Sequence, residues 1–139
     1  KIPTVFISDG PLKKNLEKKY SKTKFLGYVS EQDKIDLLAA ATVFALPSVS
    51  ENESVSLLEA LASRVPSIVT NLPTNMELIE DGKSGFTFST YNDFKNKLET
   101  LWEDDYLKKK FAKEGKKVAE GRDIRLSVEK LLMLYKSIK

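Results

Sequence analysis

Apolar runs of four or five residues, without polar alternation, punctuate the first two-thirds of the chain and are separated by stretches of helical character. Thr4–Ser8 (TVFIS), Lys24–Leu26, Thr42–Leu46 (TVFAL), Ser67–Thr70 (SIVT) and Gly85–Phe88 read as strands. Leu12–Tyr20, Glu31–Ala41, Val55–Ser63 and Asn75–Glu80 read as helices between them. Ile35, Leu38 and Ala39 are expected on the packed face of the second, and Val55, Leu58, Leu61 and Ala62 on that of the third. Unalternated runs of this length suit strands covered on both faces, as in a parallel sheet flanked by helices. The rhythm predicts an α/β fold, doubly wound and Rossmann-like. Its ligand crevice lies at the carboxyl ends of the strands, here Ser8–Pro11, Gly27–Ser30, Pro47–Ser54 and Asn71–Asn75.

After Tyr91 the pattern becomes purely helical, with predicted helices over Asn92–Trp102, Tyr106–Glu120 and Asp123–Ile138. Ile124, Val128, Leu131, Leu132 and Tyr135 form an apolar stripe on the last of these. Residues 1–139 are expected to make a single domain, of which 92–139 is the helical C-terminal part. The chain opens at Lys1 directly before a strand and is read as a piece of a longer polypeptide. The run Lys108–Lys110 is expected to be a solvated helix face and Trp102 a packing residue.

Composition narrows the chemistry. Hydrophobic residues make up 41% and charged residues 31%, as in soluble globular proteins. The net charge of +3 arises from 23 basic and 20 acidic residues interspersed along the chain, with no basic stripe for nucleic acid. Cysteine is absent, which rules out disulfide and thiol chemistry within the chain and fits a reducing compartment. Histidine is absent too, so no histidine base, nucleophile partner or metal ligand comes from these residues. Any acid–base role falls to carboxylates, lysine, tyrosine or the ligand itself.

The densest chemistry lies between Ala45 and Thr70, where Glu51 and Glu59 stand eight positions apart. Glu51 sits in the polar loop after a strand, and Glu59 within the helix that the loop begins. Backbone amides and the dipole at a helix start attract phosphate, and carboxylates accept hydrogen bonds from sugar hydroxyls. The combination suits a sugar nucleotide. A plainer reading stays open: Ser56 and Glu59 have capping-box spacing, and Glu51 is an exposed loop acid. Likewise Gly10-Pro11 fits a simple βα turn, Gly27 a strand-ending glycine, and Glu77 an acid favoured at a helix N-terminus.

Five motifs in order, from Thr4 to about Phe88, resemble the C-terminal donor-binding domain of GT-B fold retaining glycosyltransferases of the GT4-like family (glycosyl transferases group 1). They are Ser8-Asp9-Gly10-Pro11; Phe25-Leu26-Gly27-Tyr28; Leu46-Pro47-Ser48; Glu51-x7-Glu59 continuing through Ala60-Leu61-Ala62-Ser63-Arg64-Val65-Pro66-Ser67-Ile68; and Glu77-Leu78-Ile79-Glu80-Asp81-Gly82 with Gly85. The resemblance implies transfer of a sugar from a UDP- or GDP-sugar to a glycan or lipid acceptor with retention, as in polysaccharide biosynthesis, with no required metal or cofactor. It implies that Glu59 binds the ribose hydroxyls and that Glu51 lies at the transferred sugar as the catalytic acid residue. The backbone of Ser54, Val55 and Ser56 would face the distal phosphate, Gly10 would approach the donor, and Gly27, Tyr28 and Val29 would contact the base.

Three positions depart from the family pattern. Asn52-Glu53-Ser54 replaces a glycine-rich loop and adds a negative charge. Arg64 stands for a helix-ending glycine, so the turn there is expected to be built differently. Thr74 and Asn75 replace two glycines before Glu77, which bears on the donor-sugar pocket. The family's phosphate-neutralising Arg and Lys sit on an earlier strand–helix unit, and its acceptor site on an N-terminal domain, so this chain alone is expected to be inactive and to bind donor weakly. The parent is expected in the cytoplasm, with peripheral membrane contact as a further expectation. Alternatives are a non-catalytic Rossmann-like module that kept the fold and lost the site, and a sugar-nucleotide epimerase of the same architecture.

Overall fold

The computed structural model describes residues 2–137, which form an α/β arrangement of five strands and seven helices in alternating order, closing with three consecutive helices. The chain divides into two compact units, Lys1–Leu37 and Leu38–Lys139.

In the first unit, β1 (Val5–Phe6) and β2 (Lys24–Phe25) pair in parallel around α1 (Lys13–Lys19). Phe6 and Phe25, opposite one another in register, stack their rings with centroids 5.0 Å apart. The expectation of strands covered on both faces fails here: Val5 and Phe6 are exposed, because a two-stranded ladder and one charged helix offer little to bury them. The unit runs into α2 (Glu31–Ala40), whose Ser30 hydroxyl accepts the Asp33 N–H at 3.1 Å and so caps the first turn. Of the three residues expected on the packed face of α2, only Leu38 is buried, while Ile35 and Ala39 are exposed.

In the second unit, β3 (Phe44–Leu46), β4 (Ser67–Thr70) and β5 (Phe86–Phe88) form a parallel sheet with β4 in the centre. Here the unalternated run behaves as expected, since Ser67, Ile68 and Val69 are all buried. Helix α3 (Val55–Ala62) crosses from β3 to β4 and supplies Leu57 and Leu61 to a core with Val69, Leu78 and Ile79. Its buried face is therefore Leu57, Ala60 and Leu61, with Leu58 beside them, and the predicted Val55 and Ala62 face outward. A second cluster joins Leu38, Ala60 and Val65.

The turn after α3 is built with a left-handed residue after all. Arg64 takes φ 60°, while its N–H bonds the Leu61 carbonyl at 3.0 Å and the Val65 N–H bonds the Ala60 carbonyl at 2.9 Å. This is the double-bonded Schellman ending that a glycine usually provides.

Helix α4 (Pro73–Met76) starts with proline at its first position and ends near Glu77, earlier than the predicted Asn75–Glu80. Glu77 therefore closes the helix instead of opening it, and its carboxylate lies 3.7 Å from Arg122. Helices α5 (Tyr91–Glu103) and α6 (Asp105–Gly121) follow, capped by Thr90 and Asp104, whose side chains accept the N–H groups of Asp93 and Leu107. Phe111 of α6 is fully buried and meets Phe86 edge-on at 4.9 Å. Trp102 is half-buried, and its carbonyl accepts from Lys108 at 2.9 Å. Lys110 donates to the Gly82 carbonyl at 2.8 Å, so the lysine run is partly structural instead of a solvated face. In α7 (Ile124–Ser137), Val128, Leu131, Leu132 and Tyr135 of the apolar stripe are exposed. Ile138, the predicted end of that helix, lies outside the described residues. Among the described residues no helix is long and apolar enough to cross a membrane.

Candidate functional site

The residues singled out from the sequence fall into two sets, one in each unit. In the first, Gly10 forms the turn before α1, with its N–H on the Asp9 carboxylate at 2.8 Å and its carbonyl accepting from the Lys13 N–H at 3.1 Å. Gly27 ends β2 with φ 73°, and an added Cβ would lie 2.7 Å from the Lys13 ammonium nitrogen. Tyr28 is 87% exposed, and Val29 is half-buried at the rim of a shallow cavity of about 460 Å³ lined also by Leu26, Asp33, Asp36 and Leu37.

The second set lies on the loop Pro47–Ser54 and on α3. Pro47 ends β3 and the chain turns through polar residues before Ser54, which is 2% exposed, opens the helix. Glu51 is half-buried and its carboxylate accepts the Ser48 hydroxyl at 2.6 Å. Asn52 and Glu53 are exposed. The helix begins at Val55, which makes Ser54 the N-cap and places Ser56 in the second helical position. The capping-box explanation for Glu59 thus loses its geometry, because Glu59 sits on the fifth helical residue instead of the third. Glu59 is half-buried, on a helix whose Leu57, Ala60 and Leu61 point into the core.

The amides at the helix start differ from one another. The Val55 N–H is committed to the Glu53 carbonyl at 3.0 Å, although its side chain is 55% exposed. Ser54 gives α3 no side-chain cap, so the first-turn amides lack the partner that an N-cap serine ordinarily provides. Its hydroxyl donates instead to Asn75 Oδ1 at 2.5 Å.

Sequence reasoning missed the residues that hold this loop. Thr70 donates its hydroxyl to the Ser48 carbonyl at 2.7 Å, and Thr74 donates to the Glu51 carbonyl at 3.2 Å. Asn75 is fully buried and reaches both Ser54 and Thr70. Nothing local in the sequence marks them, since a polar side chain after a strand needs such partners only once it is buried.

A parallel sheet whose strands are joined by crossing helices belongs to the broad class of Rossmann-like α/β folds. The family model "Glycosyl transferases group 1" matches residues 5–118, and the chain belongs to that family. Among curated relatives, it is 30% identical over 133 residues to the sulfoquinovosyl transferase SQD2 of Arabidopsis thaliana, covering 91% of this chain and 26% of SQD2. It is 29% identical over 138 residues to the UDP-Gal:alpha-D-GlcNAc-diphosphoundecaprenol alpha-1,3-galactosyltransferase of Escherichia coli, covering 94% of this chain and 36% of that protein. Among solved structures it matches Anabaena Alr3699/HepE in complex with UDP and glucose, with a TM-score of 0.84 at 22% identity over 97% of this chain and 40% of the other. It also matches the C-terminal domain of the group 1 glycosyl transferase LpcC of Francisella tularensis, with a TM-score of 0.69 at 25% identity, covering 80% of this chain and 62% of that one. The chain spans about a quarter to a third of the length of the curated relatives cited, from 26% to 36%.

Proposed function

We propose that this chain is the donor-binding part of a retaining glycosyltransferase that moves a sugar from a UDP- or GDP-sugar to a glycan or lipid acceptor. The observation that carries the reading is the Ser48–Glu59 segment, where two carboxylates flank a helix start whose N-cap serine does not cap it. A ribose cis-diol offers two donors to one carboxylate, the role given to Glu59, and a diphosphate suits the amides of Ser54 and Ser56, the Val55 amide being taken by the Glu53 carbonyl. Glu51, turned by Ser48, takes the transferred sugar. Gly10, Gly27, Tyr28 and Val29 take the donor and its base by backbone approach, which the left-handed Gly27 permits. Neighbours solved with UDP or UDP-glucose support a nucleotide-sugar ligand of this kind.

Catalysis in this reading rests on positioning and on stabilising the departing diphosphate, with phosphate-binding cations on an earlier strand–helix unit and the acceptor site on an N-terminal domain of a longer polypeptide. The chain alone is then inactive. The Escherichia coli relative acts on a diphosphoundecaprenol-linked sugar, which motivates the further proposal that the parent works at the cytoplasmic face of a membrane.

Titration with UDP, UDP-glucose and GDP-mannose, followed by amide NMR shifts, tests the reading. Perturbations centred on Gly27–Val29 and Ser54–Glu59 support it. Silence at millimolar ligand, in a polypeptide restored at its N-terminus, overturns it in favour of a non-catalytic module, which the exposed Asn52 and Glu53 in the loop would then explain.

A further inference from the structure

We infer that Asn75 is the positioning residue of the donor site, holding both ends of the Ser48–Ser54 loop and keeping the Ser54 hydroxyl away from the helix amides. The inference rests on the nucleotide-sugar reading above. Asn75 is fully buried in the α4 turn and its carboxamide is spent in two directions. Oδ1 accepts the Ser54 hydroxyl at 2.5 Å, while Nδ2 donates to the Thr70 carbonyl at 2.9 Å and to Thr70 Oγ1 at 3.3 Å. The orientation is fixed by chemistry, since a flipped amide would set its oxygen against the Thr70 carbonyl.

Thr70 Oγ1 in turn donates to the Ser48 carbonyl at 2.7 Å, so Asn75 reaches the start of the loop through Thr70 and the end of it directly. Thr74, its neighbour, pins the middle at the Glu51 carbonyl, 3.2 Å away. The three contacts fall on Ser48, Glu51 and Ser54, the positions that aim Glu51 and begin α3. Where glycines would let the backbone approach the ligand, this chain instead uses side chains to fix the loop opposite. The serine hydroxyl has two competing uses, capping its own helix or meeting Asn75, and the buried amide decides the competition. A first turn released from its cap keeps its donors for an anion.

The test titrates the isotope-labelled chain with UDP alone, for the unmodified protein, Ser54→Ala, Asn75→Ala and the double variant, with a thermal melt of each. Asn75→Ala is expected to weaken UDP about tenfold, because it unties the loop and frees the Ser54 hydroxyl to cap the helix, and Ser54→Ala about threefold, because it unties the loop but leaves no hydroxyl to cap with. The double variant is expected to lose no more than either single one, because both delete the same bond. A merely structural asparagine would lower the melting temperature and leave UDP affinity unchanged, or give losses that add. Either result overturns the role. Should Asn75→Ala not fold, Ser54→Ala carries the test, because it leaves the Asn75–Thr70 bonds in place, and unchanged UDP binding in it overturns the inference. An unmodified protein that shows no response to millimolar UDP even when restored at its N-terminus removes the nucleotide reading itself and this role with it. A responsive chain with unaffected variants removes only the role of Asn75.

Discussion

Gly85 passes so close to Ser67 that a Cβ on the glycine would lie 2.8 Å from the Ser67 carbonyl oxygen and 2.9 Å from Ile79 Cδ1. The position immediately precedes β5, and the obstructing oxygen belongs to the backbone of β4, the central strand. Such an atom cannot rotate aside as a side-chain tip can. Gly85→Ala is therefore expected to cost about 1–3 kcal/mol, the usual penalty of overpacking, read as a lower denaturation midpoint at unchanged m-value.

Arg64 makes the opposite prediction. Its φ of 60° closes α3 through two backbone bonds that need no side chain. A left-handed conformation costs a residue with Cβ about 1–2 kcal/mol, part of which is returned as unfolded-chain entropy when glycine is used. Arg64→Gly is expected to raise stability by about 0.5–1 kcal/mol, visible as an upward shift in Tm.

These two positions also show what a reading of the chain alone could reach. Ser67–Thr70 was legible to the residue, since an unbroken apolar run in a central strand leaves few choices of register. Arg64 could be seen to replace a glycine, but whether the backbone would keep its left-handed turn depends on the Ala60 and Leu61 carbonyls, which lie beyond local propensity. Helix α4 was displaced because Pro73 reads as a loop residue unless it is taken as the first helical position. The Thr70–Thr74–Asn75 clamp was illegible for a deeper reason: polar residues after a strand are ordinarily solvated, and only tertiary pairing 21 to 23 residues away in sequence makes these buried partners. The acids Glu51 and Glu59 could be proposed because their residue types and spacing suit the chemistry.

Lys97 joins the turn after α4 to β5 and α5. Its ammonium donates to the Thr87 carbonyl at 2.7 Å and stands 3.3 Å from Asp81 and 3.5 Å from Asp93. Asp81 also accepts the Thr87 N–H at 2.7 Å. Lys97→Met keeps an unbranched side chain and removes the ammonium, with its bond to Thr87 and its position 5.6 Å from the Phe86 ring centroid. The expected loss is about 1 kcal/mol, diminishing as salt is added because the carboxylates are partly exposed.

The exposed Arg125 grips the half-buried Asp123 carboxylate with its guanidinium, at 2.5 Å for the shortest contact, and the Arg125 N–H adds a bond at 2.9 Å. These contacts hold the Asp123 carboxyl down to about 2, from an ordinary 3.8. Because the folded value is depressed, the contribution is present above the ordinary value and is lost as pH falls through the folded one. Carboxyl NMR titration is expected to place Asp123 near 2 and, in Arg125→Ala, nearer 3.8. The two proteins should differ fully in stability above pH 3.8, the difference should shrink between those two values, and they should converge under more acidic conditions.

Glu59 and Glu51 are given different partners on one ligand, and paired amide substitutions can separate them. Glu59→Gln keeps size and helix propensity but exchanges one of two acceptor oxygens for a donor, so a diol can no longer give both its protons to the side chain. The expected loss is about 2 kcal/mol, or about thirtyfold in Kd, and it should be equal for UDP and UDP-glucose because both carry the ribose. Glu51→Gln removes the acceptor proposed for the transferred sugar while Thr74 still holds its backbone and Ser48 still has a partner. It is expected to leave UDP affinity within about twofold and to weaken UDP-glucose about tenfold. Calorimetry of both variants against both ligands gives four values. Equal losses on the two ligands in Glu51→Gln would move that residue from the sugar to the nucleotide, and an unchanged UDP affinity in Glu59→Gln would take the ribose away from α3.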